Sequence, residues 1–160
     1  MWHFVAIEEC DNPELYELKW SVAKQKISRT VEIYNGSLNL DFVLDSSYSL
    51  HVDVAKQTEG GWKDYNMIKH DCMLCFCKDN GGKNVEAFMG CMQIESTDEI
   101  PAGAHSCSGF QIEFCDLPED GIIGEFRAKV TTIDRNGVIV ACAMLYANFT
   151  DEVCDKEEEE

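Results

Sequence analysis

A chain of 160 residues that is 45% hydrophobic can bury one sizeable core, and it carries no internal repeat, so it reads as a single domain. Its 13 basic and 30 acidic residues give a net charge of −17, which repels phosphate backbones and anionic membrane surfaces at long range and argues against nucleic acid as a partner. The last ten residues hold seven of the acids and one lysine, yet the body without them is still about −11.

The opening MWHFVAIEEC has neither the basic start nor the apolar run of a secretory leader, so the expectation is that a leader was removed upstream and Met1 added. From residue 15 the chain reads as short strands separated by turns. Leu38, Leu40, Phe42 and Leu44 share one face of a period-2 pattern, with Asn39, Asp41 and Val43 on the other, which predicts a half-buried strand ended by Asp45-Ser46-Ser47. Tyr48, Leu50, Val52 and Val54 then alternate with Ser49, His51, Asp53 and Ala55 up to a turn at Glu59-Gly60-Gly61. These two strands are expected to pair as an antiparallel hairpin. Only Asn84 to Met92 looks helical, with Val85, Phe88, Met89 and Met92 near one face.

Further on, Phe110, Ile112 and Phe114 alternate with Gln111, Glu113 and Cys115 as in a strand. Residues 125–133 and 138–149 read as a strand pair across Asp134-Arg135-Asn136-Gly137, where the Asn-Gly step is expected to supply the positive φ angles of a tight hairpin turn. Strands at this spacing with almost no helix point to a sandwich or barrel. The acidic residues 151–160 read as a solvated, disordered tail. No stretch approaches the ~20 apolar residues of a membrane-spanning helix, so a soluble protein is expected.

Nine cysteines, at 10, 72, 75, 77, 91, 107, 115, 142 and 154, exceed ordinary cytosolic usage, and an oxidising compartment accounts for them. Disulfides use eight and leave one thiol over. Two acceptor triplets for glycosylation, at Asn35 and Asn148, agree with that compartment. The group Cys72-x2-Cys75-x-Cys77, with His70 and Cys91 nearby, has the donor types of a tetrahedral zinc site. It lacks a second Cys-x2-Cys pair and leaves the other cysteines unexplained, so no metal is expected. His3, His51, His70 and His105 lie in no nucleophile motif, and the Gly60-Gly61 and Gly81-Gly82 steps have no following Lys-Ser/Thr to cradle a phosphate. No catalytic activity and no cofactor are expected.

The second half carries a family resemblance. Ile100-Pro101-Ala102-Gly103-Ala104-His105-Ser106, Phe110-Gln111-Ile112, Leu117-Pro118, Gly124-Glu125-Phe126-Arg127, Asn136-Gly137 and Val140-Ala141-Cys142 follow in the order and spacing of the C-terminal half of ML-domain lipid-recognition proteins. In the first half Cys10, the segment Asn35-Gly36-Ser37-Leu38-Asn39 and Gly61-Trp62-Lys63 make the chain more similar to the insect CheB-like chemosensory branch than to the ganglioside-activator branch. The likeness spans about residues 10–149. It implies an all-β, immunoglobulin-like two-sheet antiparallel sandwich, cup-shaped, with an apolar cavity, one short helix and disulfide staples. The domain is then 1–150 and the tail 151–160.

By matched positions the resemblance implies a Cys10–Cys142 bond. It places Cys107 with the group Cys72, Cys75, Cys77 and Cys91, pairing among themselves or with Cys115 and Cys154, for which the family offers no counterpart. His105 stands where the family usually has an aromatic residue. The segment Leu117 to Gly124 matches a cavity-mouth loop, where Asp120 replaces a membrane-engaging tryptophan, Glu119 adds a second acid, and Ile122 and Ile123 are left to form the apolar tip. Strand faces and this loop give an expected lining of Phe42, Leu44, Leu50, Val52, Trp62, Phe88, Met89, Phe110, Ile112, Phe114, Ile122, Ile123, Phe126 and Val140. The resulting expectation is a secreted or lysosomal carrier of a fatty acid, glycolipid, sterol or pheromone-like molecule, delivering to a receptor or membrane surface. An interaction module with a filled core and a lipid-processing enzyme are the readings from other classes.

Overall fold

The structure is a computed structural model, and it describes residues 1–27, 32–118 and 121–154. Eight strands form two antiparallel sheets: β1 (Trp2–Glu9), β2 (Lys19–Lys26), β3 (Glu32–Leu40), β4 (Ser49–Thr58), β5 (Gly61–His70), β6 (Gly103–Phe110), β7 (Gly124–Ile133) and β8 (Ile139–Phe149). The larger sheet has the order β1-β8-β7-β4-β5 and the smaller β2-β3-β6, which is the expected two-sheet sandwich. Two helices, α1 (Met73–Gly81) and α2 (Asn84–Cys91), follow β5 and lie between the sheets in sequence.

The β7–β8 hairpin forms as read, although its turn is built differently. Asp134 and Gly137 close it through Gly137 N–H to Asp134 C=O at 3.1 Å, and only Gly137 takes a positive φ, 79°. Asn136 does not, which is the pattern of a three-residue loop ending in a left-handed glycine rather than a two-residue turn.

Three expectations about elements are corrected. The strand over 38–44 does not form a hairpin with β4: β3 ends at Leu40 in the smaller sheet, and residues 41–48 cross to the larger one. Leu44 instead pairs with Ile100, its N–H donating to that carbonyl at 2.9 Å. The alternation persists through the crossing because both sheets face one core, so period 2 reports the face and not the partner strand. The strand expected over 110–115 stops at Phe110, and Phe114–Asp116 is a 3-10 turn. A second helix, α1, occupies the cysteine cluster. Spacing of three puts Cys72 and Cys75 on one side of its first turn, where they are bonded and where Cys72 Sγ accepts from Cys75 N–H at 3.1 Å.

Four disulfides are present: Cys10–Cys142, Cys72–Cys75, Cys91–Cys107 and Cys115–Cys154, with Cys77 free. The first ties the end of β1 to β8, and the third ties α2 to β6. The last binds the 3-10 turn after β6 to Cys154, so the first four residues of the expected tail are held to the body. Residues 155–160 lie outside the described ones.

One end of the sandwich is packed shut. Leu18, Leu40, Leu44, Leu74, Met92 and Ile100 form a buried cluster there. Leu18 N–H donates to Val140 C=O at 2.9 Å and Trp20 Nε1 to Cys142 C=O at 3.1 Å, joining β2 to β8 across the sheets.

Candidate functional site

The sheets part around a cavity of about 970 Å³, whose closed end is formed by Leu18, Leu44, Leu74 and Ile100 of the buried cluster. Its floor is the inner face of β7 and β8. Register sets Phe126 against Ala147, Ala128 against Leu145, Val130 against Ala143 and Thr132 against Ala141, and all eight line the space. Four of these eight are alanines, so the face is apolar but short, and the opposing sheet is not met. Trp20 and Leu38 line the cavity from the smaller sheet, while Leu74 and Phe76 of α1 and Phe88 and Met89 of α2 close its flank.

The mouth is marked by lining residues that also reach solvent: Tyr65 is 45% and Ile122 53% exposed. Trp2 packs edge-on to Phe126 with ring centres 5.5 Å apart, and Tyr65 does so at 5.3 Å, giving an aromatic collar inside the rim. Leu117, Pro118, Gly121 and Ile122, from the expected mouth loop, complete the rim; Glu119 and Asp120 lie outside the described residues. Asn84 fixes the segment leading into this loop to α2, its Nδ2 donating to Glu113 C=O at 3.0 Å and its Oδ1 accepting from Glu113 N–H at 2.8 Å.

Seven expected lining residues are found on the cavity wall: Leu44, Phe88, Met89, Phe110, Ile112, Ile122 and Phe126. The other seven are corrected. Trp62 turns outward because Tyr65 is an extra residue in β5: Asn66 pairs with Val54 but Asp64 with Ala55, so every side chain before the bulge changes face. It packs on Tyr146, under the Arg127 guanidinium 4.9 Å from its ring centre. Val140 is likewise the unpaired residue of a bulge, between the Thr132–Ala141 and Ile133–Ile139 pairs, and is buried in the core.

Leu50 and Val52 are buried on β4 short of the cavity wall, which this strand reaches only at Val54; beside Leu50, Met73 covers Thr132, whose hydroxyl donates to its sulfur at 3.0 Å. Phe42 lies beyond β3, stacked on Tyr48 at 5.1 Å. Phe114 is turned by the 3-10 helix onto Phe4 at 5.4 Å. Ile123 points to solvent, 62% exposed.

Among the residues missed are the alanines of β7 and β8, the α1 side chains, Trp20 and Leu38 of the smaller sheet, Tyr65 and Asn66 of β5, and Trp2 and Phe4 of β1. Ala141, Ala143, Leu145 and Ala147 alternate with larger residues, a period-2 run of small apolar side chains that signals a face with room beside it. Phe4 also walls off a second pocket of about 180 Å³ between β1 and β2. There the Tyr34 hydroxyl has its pKa pushed up to about 12, first by burial and then by Glu32.

Among the described residues the cavity lining contains no Asp, Glu, Lys, Arg or His. Its polar groups are amides and hydroxyls, chiefly Asn66, Asn80, Asn84 and Thr132, with the free thiol of Cys77, which burial pushes to a higher pKa. Disulfides take Cys72, Cys75 and Cys91 from the zinc set considered above, and no cluster suited to a metal ion occurs among the described residues. The histidines are dispersed: His51 sits 3.4 Å from Asp53, His3 3.6 Å from Glu152, His70 accepts from Cys72 N–H, and His105 meets Pro101 C=O. Both glycosylation candidates lie within strands, Asn35 in β3 and Asn148 in β8. No described helix is long and apolar enough to cross a membrane.

In comparison with known proteins, no family model matches the chain and no curated protein matches it in sequence.

Proposed function

We propose that this protein is a secreted carrier of the ML-domain type that shields a lipid or another apolar small molecule between its sheets. The observation that supports this most is the apolar cavity of about 970 Å³, open at one end. At ~24 cal/mol per Å³, a dry void of that size would cost on the order of 20 kcal/mol, more than the ~5–15 kcal/mol of net stability a domain has. The space is therefore filled in solution, either by water against hydrocarbon or by a guest. A guest is favoured: a sixteen-carbon chain gains roughly 13 kcal/mol of burial at ~0.8 per methylene. Association costs ~4 kcal/mol or more, which leaves a micromolar complex, about −8 kcal/mol, within reach.

Four disulfides favour an oxidising, extracellular or lumenal setting. The acidic surface suits a carrier that passes cargo to a receptor better than one that inserts into anionic membranes. Native mass spectrometry of protein purified without detergent tests the reading. Co-purifying lipid at about one per chain supports it; bare protein that also ignores apolar fluorescent probes favours an interaction module, and turnover of lipid esters favours an enzyme.

A further inference from the structure

We propose that the cavity selects guests whose polar end is uncharged, such as long-chain alcohols, esters or sterol-like molecules, and discriminates against free fatty-acid carboxylates and cationic amphiphiles. The inference rests on the carrier reading and adds the chemical class of its ligand. With 43 charged side chains in the chain, the described part of the cavity wall carries none. Among the described lining residues a carboxylate drawn inside would lose its hydration and meet no cation, and an ammonium would meet no acid.

What the wall does offer is neutral. Asn80 spends its Nδ2 on Phe76 C=O at 2.9 Å, and Asn66 its Oδ1 on Met67 N–H at 2.8 Å. Each keeps the other end of its amide for a hydroxyl or a carbonyl. Asn66 lies next to Tyr65 of the collar, and Asn80 lies next to Gly81 at the end of α1, on the flank of the cavity.

Lys56 and Lys63 pair across β4 and β5 and lie outside the lining. Lys56 lies opposite Phe126, and its Cε is the atom a Cβ on Gly124 would strike. Because neither lysine lines the cavity, a carboxylate that pairs with one holds its head outside the lining and draws part of its chain back into water. Each methylene so withdrawn weakens binding by about fourfold.

The test is competition against N-phenyl-1-naphthylamine, a neutral probe, at pH 7.5 with hexadecanol, methyl hexadecanoate, hexadecanoate and hexadecyltrimethylammonium below their micelle concentrations. The expected result is that the alcohol and ester displace the probe with at least tenfold lower midpoints than either ion. Equal midpoints, or a lower one for an ion, overturn the inference while leaving the carrier reading intact. Failure of folded, disulfide-bonded protein to bind the probe or any competitor overturns both.

Discussion

Ala143 faces Val130 across β7 and β8, and the methyl group is all that separates the sheet from the cavity there. Ala143→Phe fills that space from a strand whose backbone need not move. Probe binding is expected to weaken at least tenfold, while the melting temperature stays level or rises, because added apolar contact replaces water. Unchanged binding would place the probe elsewhere on the protein. Cys77 supplies a second report from the same wall. Thiol titration of the denatured, non-reduced protein should find one free cysteine. In the folded protein burial raises the thiol's pKa, so at pH 8 the thiolate fraction falls below that of an ordinary cysteine and alkylation is slow. Bound hexadecanol should slow it further, and a rate equal to that of free cysteine, unaffected by hexadecanol, would contradict the placement of Cys77 on the wall.

The strands of the larger sheet show how much was legible at the level of elements. β4 is plain in the sequence because Tyr48, Leu50, Val52 and Val54 alternate with polar or small residues, and β7 and β8 because Asn136-Gly137 marks the turn between two apolar runs. Trp62 was misplaced because one residue, Tyr65, is inserted opposite a continuous β4, and an insertion leaves no trace in the alternation of either strand. The alanine face escapes such a reading for a related reason: large side chains carry the periodicity, whereas a cavity is made by small ones. α1 hid among its cysteines, whose spacing reads equally as a metal cluster or a helical turn. The mouth loop is the element whose behaviour the disulfides decide. Both halves of Cys115–Cys154 are partly exposed, whereas every other bridge has at least one buried half. Replacing both cysteines with serine is expected to speed release of a bound probe several-fold, read by stopped-flow dilution, since the bridge holds the 3-10 turn that leads into the rim. Identical release rates would show that Asn84 alone positions the loop.

For the molecule as a whole, the cross-links rank by the length of chain they close. Chain entropy assigns about 5 kcal/mol to Cys10–Cys142, which are 132 residues apart, and about 4 kcal/mol to Cys115–Cys154, 39 apart. The first also joins β1 to β8 next to the hydrogen bond from Trp20 to Cys142 C=O, so its removal loosens the packed end. Urea unfolding without reductant should therefore rank Cys10→Ser/Cys142→Ser as the less stable double variant, and the opposite order would contradict the assignment of that end as the structural anchor. The sandwich class and the Cys10–Cys142 bond were within reach of the sequence and its resemblance. The cavity was an expectation of the resemblance alone and is not legible in the strand patterns, since its volume depends on how far two sheets stand apart, a distance no single strand encodes.

The separation of those sheets is tested most directly by titrating the disulfide-intact protein with N-phenyl-1-naphthylamine and following its emission. An enclosed apolar site predicts a saturable blue-shifted rise with one site per chain and a dissociation constant in the micromolar range or below. A linear, non-saturating response from folded protein would mean that the inner faces meet and hold no guest.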